Sequence, residues 1–444
     1  IKKNIRRIMT DYDIIVIGSG PAGMMASIEA SKETNNKKLK IALIERNASA
    51  GKKLLITGGG RCNITSNKDI SDFYQHIVRN PKFLYSSFSS FDNRDLTFFF
   101  EKGNIMLKTE GNKIYPEKDD AGELLKYLLK EIKKNEINLI LNSYVSDIEI
   151  LKKDNSETYA LTVDRDNSKS RLTAKHLILA TGGASYKATG SDGSMLSIVE
   201  RMGIKIVPVI PTLVRLTSNQ PAITESQGIS LNDVKFSIYL KNKKIAELSD
   251  SIVFTHNGIS GPGAINSSSF ITDKPLSDIK VTIDFLPAIS FDNFIEIIKS
   301  PDKQKLTTRI SRYLPKELVK NILMYDVISR KSFEKYRNHD SFPEHEVMNM
   351  KKNQINDIAE SFKNFELKLT GYGGLNEAIV TRGGIDIKEI NPRTLNLKKH
   401  PGIFVAGEMI DVDAFTGGYN LQIAFSTGCL SGKSARDSLF IREI

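Results

Sequence analysis

The chain has 444 residues, more than one hydrophobic core usually holds, so two or three domains are expected. A hydrophobic content of 40% fits a soluble globular enzyme, and no apolar run approaches the roughly 20 residues that span a bilayer. The formal net charge of +11 has two interpretations: contact with nucleic acid, or lysine enrichment from an AT-rich codon bias.

The native start of the chain has two interpretations. The chain begins with Ile1 and has a methionine at position 9, so residues 1–8 are either native or an extension before a natural start at Met9.

Cys62 and Cys429 form no CxxC motif, which gives no support to a redox dithiol. Low cysteine use without a targeting signal predicts a cytoplasmic protein.

A dinucleotide-binding turn is predicted near the start of the chain. The apolar residues 14–17 are typical of a buried parallel strand, and they lead into Gly18-x-Gly20-x-x-Gly23 and a helix. Gly18 allows the tight turn, Gly20 admits a pyrophosphate, and Gly23 lets the helix pack closely on the sheet. The candidate cofactor-binding residues here are Gly18, Gly20, Pro21, Ala22 and Gly23.

A second strand over residues 41–44 ends at Glu45, with Arg46 next. The Glu45 carboxylate is placed to accept hydrogen bonds from a ribose, each contributing roughly 1.5–3 kcal/mol. Both residues are predicted to bind the cofactor.

A glycine-rich loop follows, with the sequence Gly58-Gly59-Gly60-Arg61-Cys62-Asn63. Such a loop lets backbone N–H groups approach a ligand, and a guanidinium suits a phosphate or carbonyl oxygen. Cys62 has two interpretations, a thiol near the reactive centre or a small packed side chain. The candidate cofactor-binding residues of this segment are Lys53, Gly60, Arg61 and Cys62.

The next segment alternates helix and strand patterns. The predicted elements are helix-like residues 69–100, a hairpin over 105–115, a helix from 119 to about 134, and strands over 138–141, 145–151, 159–163 and 172–180. The last strand ends in Ala-Thr-Gly-Gly, which exposes backbone at the carboxyl edge of the sheet. The candidate cofactor-binding residues are Val145, Thr181 and Gly182.

The pattern changes from about residue 201 to residue 382. Residues 207–216 and 234–240 alternate like strands of a small barrel or open sheet, and four helix-like stretches follow. His256 lies in a glycine-rich turn, where it either polarises a substrate or only forms hydrogen bonds. Because no second GxGxxG occurs, a separate nicotinamide domain is not expected.

The final segment has a strand that ends at Gly407-Glu408, followed by Gly417-Gly418 and a helix of small residues. A helix that begins near Asn420 would direct its positive end at a group that gains negative charge. The candidate cofactor-binding residues are Gly407, Glu408, Asn420, Leu421 and Gln422.

Together, residues 18–23, 53–63, 180–183, 254–262, 380–384 and 404–422 resemble the BaiN/YhiN-like flavoproteins, also called the aminoacetone-oxidase-type FAD-binding family. The resemblance implies an α/β fold with a glutathione-reductase-type Rossmann FAD domain over 9–200 and 382–444. An inserted β-barrel plus helical domain would occupy 201–381. Residues 112–116 depart from the family's Gly-Arg-x-Phe-Pro pattern, which leaves the role of Lys113 open.

The resemblance implies FAD as the cofactor and an NAD(P)H-dependent reductase that passes hydride from flavin N5 to an activated C=C bond. Family members have been assigned reduction of uridine to dihydrouridine in large-subunit ribosomal RNA, reduction of steroid enones, and oxidation of aminoacetone. The basic charge favours ribosomal RNA as the partner. The alternatives are a small-molecule enone or amine, or a non-catalytic flavin-bearing RNA-binding factor.

Three residues are candidates for catalysis under this interpretation. Cys62 and Tyr419 could donate the proton, and Arg382 could stabilise an enolate-like oxygen. We expect no metal and no membrane contact. The oligomeric state and the choice between NADH and NADPH stay open.

Overall fold

The computed structural model describes residues 10–34, 37–153, 156–166, 168–301, 304–337 and 342–441. The alternative starts at Ile1 and Met9 lie outside these residues. The chain divides into two compact units. Unit 1 consists of residues 1–210 and 380–444, and unit 2 consists of residues 211–379.

The strands are numbered in chain order. They are β1 Tyr12–Ile17, β2 Ile41–Ile44, β3 Thr65–Ser66, β4 Ile77–Arg79, β5 Leu107–Glu110, β6 Lys113–Pro116, β7 Asn138–Ile140, β8 Tyr144–Lys153, β9 Ser156–Arg165, β10 Ser168–Leu179, β11 Ile206–Thr212, β12 Leu216–Thr217, β13 Ser230–Leu240, β14 Lys243–Thr255, β15 Gly258–Ser260, β16 Ile279–Asp284, β17 Phe365–Leu367, β18 Gly371–Tyr372, β19 Val380–Ile385, β20 Ile403–Val405 and β21 Asp413–Ala414.

The α-helices are numbered in the same way. They are α1 Pro21–Ala30, α2 Lys52–Ile56, α3 Ile70–His76, α4 Tyr85–Ser90, α5 Asn93–Lys102, α6 Ala121–Lys134, α7 Ser194–Arg201, α8 Pro221–Thr224, α9 Gly261–Ser268, α10 Phe291–Lys299, α11 Leu306–Ile310, α12 Lys316–Asn321, α13 Lys352–Lys363 and α14 Tyr419–Ile441. Short 3-10 segments lie at Thr57–Gly60, Pro81–Leu84, Lys187–Thr189, Leu276–Asp278, Lys331–Tyr336, Glu344–Asn349, Ile387–Glu389 and Gly407–Met409, and Ile322–Val327 is π-helical.

Unit 1 is built on a sheet with β1 at its centre. Among the described residues, parallel strands run in the order β7-β2-β1-β10-β20. The first half of β10 pairs antiparallel with β9, which pairs with β8. The sheet is Rossmann-type, as predicted. The apolar runs of β1 and β2 are explained by burial, because parallel strands are covered on both faces.

Helices α1 and α14 pack against each other through small residues. A Cβ added at Gly428 would lie 2.3 Å from the carbonyl oxygen of Ala22, and one at Gly432 would lie 2.2 Å from that of Ala26. Glycine is therefore required at both positions for the two backbones to approach. This contact holds the C-terminal helix on the helix that follows the glycine-rich turn.

The stretch 69–100 contains three short helices and a strand, α3, β4, α4 and α5, instead of one continuous helical region. Asn80 has φ of 54°, a left-handed conformation that cannot continue a helix, and Pro81 follows it. The hairpin over 105–115 is confirmed by β5 and β6. Helix α6 begins after Asp120, whose side chain accepts a hydrogen bond from Gly122 N–H.

Unit 2 contains an open sheet in the order β17-β16-β13-β14-β15-β12-β18, with antiparallel neighbours. In the described part of the chain the sheet does not close into the expected barrel. Its edge strands β17 and β18 have three and two residues, and each pairs only with its inner neighbour. Helix α13 packs on β16 and β17, and α10 packs on α13, with the rings of Phe294 and Phe362 5.7 Å apart.

None of the helices in the described ranges is both long enough and apolar enough to cross a membrane. No cluster of three or more His, Cys, Asp and Glu side chains suited to a metal ion occurs in the same ranges.

Candidate functional site

The turn between β1 and α1 requires glycine for two different reasons. Gly18 has φ of +100°, and a Cβ there would lie 2.5 Å from the carbonyl oxygen of Ala180. A Cβ at Gly23 would lie 1.8 Å from the carbonyl oxygen of Gly18. A Cβ at Gly20, by contrast, would have no heavy atom within 4 Å. The open space is therefore at Gly20, where the pyrophosphate is predicted to approach.

Helix α1 starts with an uncapped turn. Pro21 is its first residue, and no side chain caps the helix at Gly20. The N–H groups and positive end of the helix dipole are thus available to an anion at the open side of Gly20. The Ala22 side chain lies against Gly407, where an added Cβ would be 3.0 Å from the Ala22 Cβ.

Glu45, at the end of β2, is buried and is joined to the turn by hydrogen bonds. Its Oε2 accepts from Ser19 N–H at 3.0 Å and from Ser19 Oγ at 2.6 Å. Its Oε1 accepts from the N–H of Asn47 at 2.9 Å and from Asn47 Nδ2 at 2.7 Å. These four hydrogen bonds use the four lone-pair positions of the carboxylate, so a ribose hydroxyl could donate to Glu45 only by replacing one of these donors.

Arg46 extends to a loop that was not assigned a role from sequence. Its Nη1 lies 2.5 Å from Oδ2 of Asp192, and the guanidinium lies 4.8 Å from the ring centroid of Tyr144. The side chain therefore binds the Thr189–Asp192 region instead of pointing to the turn at Gly20. Val145, the neighbour of Tyr144, is buried in the core of unit 1.

Lys53 and Glu408 form the main ion pair of the site. Lys53 Nζ lies 2.6 Å from Oε2 of Glu408 and donates to Ser185 Oγ at 2.7 Å. Glu408 Oε1 accepts from Thr381 N–H at 2.7 Å. Burial raises the pKa of Glu408, but the charge of Lys53 and these hydrogen bonds outweigh it, so the pKa is lowered.

The backbone at Thr181 and Gly182 adjoins this ion pair. Gly182 has φ of +81°, and a Cβ there would lie 2.8 Å from Oγ of Ser191. At the neighbouring Gly183 a Cβ would lie 2.9 Å from Oε1 of Glu408. Thr181 Oγ1 donates to the sulfur of Met409 at 3.3 Å. Gly407 N–H donates to Thr427 Oγ1 at 2.9 Å, which joins this edge to α14.

Arg61 is bound by two carboxylates of the chain. Its Nε donates to Asp119 at 2.9 Å and its Nη2 to Glu110 at 2.6 Å, and the guanidinium stacks 4.3 Å from the ring centroid of Tyr115. These hydrogen bonds, that to Glu110 above all, raise the pKa of Arg61. Gly60 precedes it with φ of +93°. The guanidinium binds the segment around β5 and β6, so it reaches a ligand only by exchanging these partners.

Cys62 is fully buried in the core of unit 1 and has φ of 57°. Burial raises the pKa of its thiol to about 12. The thiol is therefore protonated at neutral pH, which a proton donor requires, but it packs among apolar side chains such as Leu54 and Ile64.

The segment before α14 lies directly on the loop that follows Cys62. Gly418 has φ of +92°, and a Cβ there would lie 2.6 Å from the Cα of Thr65. The side chain of Asn420 is occupied by backbone groups, because its Oδ1 accepts from Ala414 N–H at 3.0 Å and its Nδ2 donates to Ala414 O at 2.7 Å. Leu421 is partly buried against the core.

Tyr419 is held between two rings. It stacks on His76 with centroids 4.6 Å apart and meets Phe73 edge-on at 5.0 Å. Burial raises the pKa of Tyr419, and a hydrogen bond with the Ser66 side chain opposes that shift. Burial lowers the pKa of His76, so the stacked imidazole is neutral at pH 7.

Arg382 is buried in an ion pair with Asp413. Its Nε and Nη2 donate to the two carboxylate oxygens at 2.8 and 2.9 Å. Burial raises the pKa of Asp413 despite this pair. The next carboxylate along the chain, Asp411, pairs with Arg79 at 3.0 Å. The sequence contained Asp411 and Asp413 but no sign of their partners.

Two observations test whether these residues fit FAD. First, the space at Gly20 is open, as a diphosphate requires. Second, buried oxygens with no hydrogen-bond partner among the described residues occur beside Gly418: Asn63 Oδ1, Thr65 Oγ1 and Gln422 Oε1. Buried polar atoms normally have partners, so they suit a polar group such as the edge of a flavin ring. The residues therefore fit the cofactor.

Several site residues were not found from sequence. Ser19, Asn47, Thr381 and Ser185 hold the two carboxylates, Glu45 and Glu408. Ser19 occupies a variable position of GxGxxG, so the motif carried no signal for it.

Known proteins are similar to this chain over nearly its whole length. The model of the family described as "HI0933-like protein Rossmann domain" matches residues 12–434. A 3-dehydro-bile acid delta(4,6)-reductase of Clostridium scindens is 28% identical over 432 residues, covering 95% of this chain and 98% of the reductase. A ribosomal RNA dihydrouridine synthase of Escherichia coli K12 is 28% identical over 422 residues, covering 94% of this chain and 96% of the synthase.

A solved structure is similar over the whole length. The crystal structure of a 3-ketosteroid-delta4-(5alpha)-dehydrogenase from Rhodococcus jostii RHA1 superposes with a TM-score of 0.51 at 13% identity, and covers 98% of this chain and 99% of that one. The superposition supports the fold.

Proposed function

Because this chain belongs to the HI0933-like Rossmann-domain family, we propose that it is an NAD(P)H-dependent reductase that saturates an activated C=C bond of uridine in large-subunit ribosomal RNA. The chain is an FAD-dependent oxidoreductase. We propose that unit 1 is the FAD-binding domain and that unit 2 is the insertion.

Bound FAD would supply the two-electron chemistry of the reduction, in which NAD(P)H is the reductant and the C=C bond of uracil gains a hydride at C6 and a proton at C5. The residues of the chain bind and orient. Gly20 and the start of α1 would hold the diphosphate, as the open space at Gly20 indicates. Glu45 would hold the ribose, with a ribose hydroxyl replacing one of its present donors from Ser19 or Asn47.

The neighbourhood of Gly418 would hold the flavin ring. The unpartnered oxygens of Asn63, Thr65 and Gln422 would accept or exchange hydrogen bonds with it. The N-terminus of α14 would favour negative charge at the same place. For the proton, we propose Tyr419 over Cys62, because its hydroxyl has a polar neighbour in Ser66 while the thiol lies among apolar groups.

The proposal of an RNA substrate depends on charge. The chain has 63 Lys and Arg against 52 Asp and Glu, so its net charge of +11 favours a polyanion. A steroid-like enone does not require such a charge. The full-length similarity to the dihydrouridine synthase supports the same choice.

A small-molecule enone is the second candidate. The full-length similarity to the bile acid reductase, equal in identity, supports it. The chemistry is the same, because uracil and an enone both present a C=C bond conjugated to a carbonyl group.

The decisive experiment maps dihydrouridine in ribosomal RNA from a host with and without this gene. We expect one or more dihydrouridines to disappear on deletion and to return with the wild-type gene, but not with Gly20→Val. An unchanged map would overturn the RNA substrate. In that case, NADPH oxidation dependent on a 3-keto steroid would support the second candidate, and peroxide formation with aminoacetone would support an oxidase.

A further inference from the structure

We propose that the exposed surface formed by α5 and α6 is a docking site for unpaired RNA. We define this basic surface by Phe98, Lys102, Lys126, Lys130 and Lys133. The proposal rests on the proposed function, since it names where the RNA substrate would be held outside the cofactor site.

The charges of this surface lie on one face of α6. Lys126, Lys130 and Lys133 are spaced by four and three residues, so they share a face, and all three are exposed. Neither they nor Lys102 has an ion-pair partner among the residues that the structure describes. Charges without counter-ions are available to phosphates.

The aromatic component comes from α5. Phe98 is 65% exposed, an unusual exposure for phenylalanine, and it lies four residues before Lys102 on the same helix face. An exposed ring next to a cation can stack on an unpaired base.

Contacts between the helices join the two components. Tyr127, next to Lys126, packs on the end of α5, with its ring 5.2 Å from Phe99 and 6.0 Å from Phe100. A Cβ at Gly103 would lie 2.4 Å from the Tyr127 ring. The end of α5 therefore packs on α6 at residues that adjoin Lys102 and Lys126 in the chain.

The same helix is poorly suited to a membrane. Its apolar residues Leu124, Leu125, Leu128 and Ile132 are buried in the core of unit 1, so they are not available to enter a bilayer. Binding of an unpaired RNA requires only the exposed lysines, which pair with phosphates, and the Phe98 ring, which stacks on a base. The chemistry of the surface thus favours RNA over an anionic membrane.

The test measures binding of a fluorescent 20-nucleotide single-stranded RNA to the FAD-loaded full chain at several salt concentrations. The surface variant carries Lys102→Gln, Lys126→Gln, Lys130→Gln and Lys133→Gln. The control variant carries Lys243→Gln, Lys316→Gln, Lys331→Gln and Lys352→Gln, which removes the same charge from exposed lysines of unit 2.

We expect the surface variant to bind at least tenfold more weakly than the control. Its slope of log affinity against log salt should fall by about 0.7 for each lysine that contacts a phosphate. Phe98→Ala should weaken binding about tenfold, and Phe98→Tyr should not, because a ring is retained. FAD absorbance and circular dichroism verify that each variant is folded.

Equal RNA binding by the surface and control variants would overturn the docking site. So would loss of binding to phosphatidylserine vesicles in the surface variant while RNA binding is kept. The dihydrouridine map separates this proposal from the reaction. If the wild type forms dihydrouridine and the surface variant does so equally well with equal affinity, the site fails and the reaction stands. If the wild type forms no dihydrouridine but the surface variant selectively loses RNA binding, the docking site is supported and the proposed reduction of uridine is refuted.

Discussion

Lys53 Nζ lies 2.6 Å from Oε2 of Glu408, although 355 residues separate them in the chain. The pair connects the helix before the glycine-rich loop to the segment that follows the last strand of the Rossmann sheet. Since Ser185 and Thr381 bond to the same pair, four separate segments meet at this carboxylate.

Replacing Lys53 with Met should destabilise the protein by about 1.5–3 kcal/mol at pH 7, the typical contribution of a hydrogen bond to a charged group. The effect should depend on pH. Because the pKa of Glu408 is lowered on folding, the stabilisation is complete above its unfolded pKa near 4.5 and is lost as pH falls through the folded pKa.

Urea unfolding of the FAD-loaded protein between pH 3 and 8 would measure this effect. Lys52→Met is the matched control, since among the described residues Lys52 Nζ donates only to Asn47 Oδ1, at 3.1 Å. A Lys53→Met defect that is the same at pH 3.5 and pH 7 would contradict the assignment.

Replacing Gly20 with Val should prevent FAD binding without unfolding the chain. A Cβ added at Gly20 has no heavy atom within 4 Å, and the side chain would occupy the predicted diphosphate space. The stability of the apoprotein should change by only about 1 kcal/mol. The FAD content of the purified variant is the measurement. Gly374→Val also enters open space, in unit 2, and should keep its FAD; a Gly20→Val protein with full FAD would refute the site.

Replacing Gly418 with Ala should be far more costly than Gly111→Ala. Both glycines have positive φ, so each substitution incurs about 1–2 kcal/mol of left-handed strain. Only at Gly418 does the new Cβ meet backbone atoms of Thr65, which should raise the cost above about 3 kcal/mol. Thermal unfolding compares the two variants, and equal losses would show that the close approach is not as described.

Replacing Arg382 with Met should destabilise unit 1 by about 3–5 kcal/mol, because it leaves the buried Asp413 without its counter-charge. The loss should shrink in acid, where a protonated Asp413 needs no cation. The double variant Arg382→Met/Asp413→Leu should recover part of the loss at pH 7. Urea unfolding of the single and double variants decides this, and a double variant no more stable than the single one would count against the pair.

Both cysteines should resist alkylation in the folded protein. Cys62 and Cys429 are buried, and burial, the largest cause for each, raises the pKa of each thiol to about 12. Mass spectrometry after iodoacetamide treatment at pH 8 should find neither thiol modified, and both modified in urea. Rapid modification of Cys62 in the folded protein would instead indicate an accessible thiol at the site.

The local elements could be predicted because their determinants are close in sequence. The apolar run of β1, the spacing of Gly18, Gly20 and Gly23, and the position of Glu45 after β2 predicted the Rossmann turn, and the structure has these elements. The sequence could not distinguish a closed barrel from an open sheet in unit 2, because apolar and polar residues alternate along the strands of both. Only the pairing of β17 and β18 shows that the sheet is open.

What the sequence by itself determined is therefore the cofactor fold: a strand, a glycine turn and a helix whose geometry is set by backbone sterics within a dozen residues. What only the tertiary structure decided is which charges meet. Arg61 and Arg382 were both candidates for a ligand, and the structure pairs them with Glu110, Asp119 and Asp413. Such pairs join residues that are distant in sequence, and packing, not local spacing, brings them within hydrogen-bond distance.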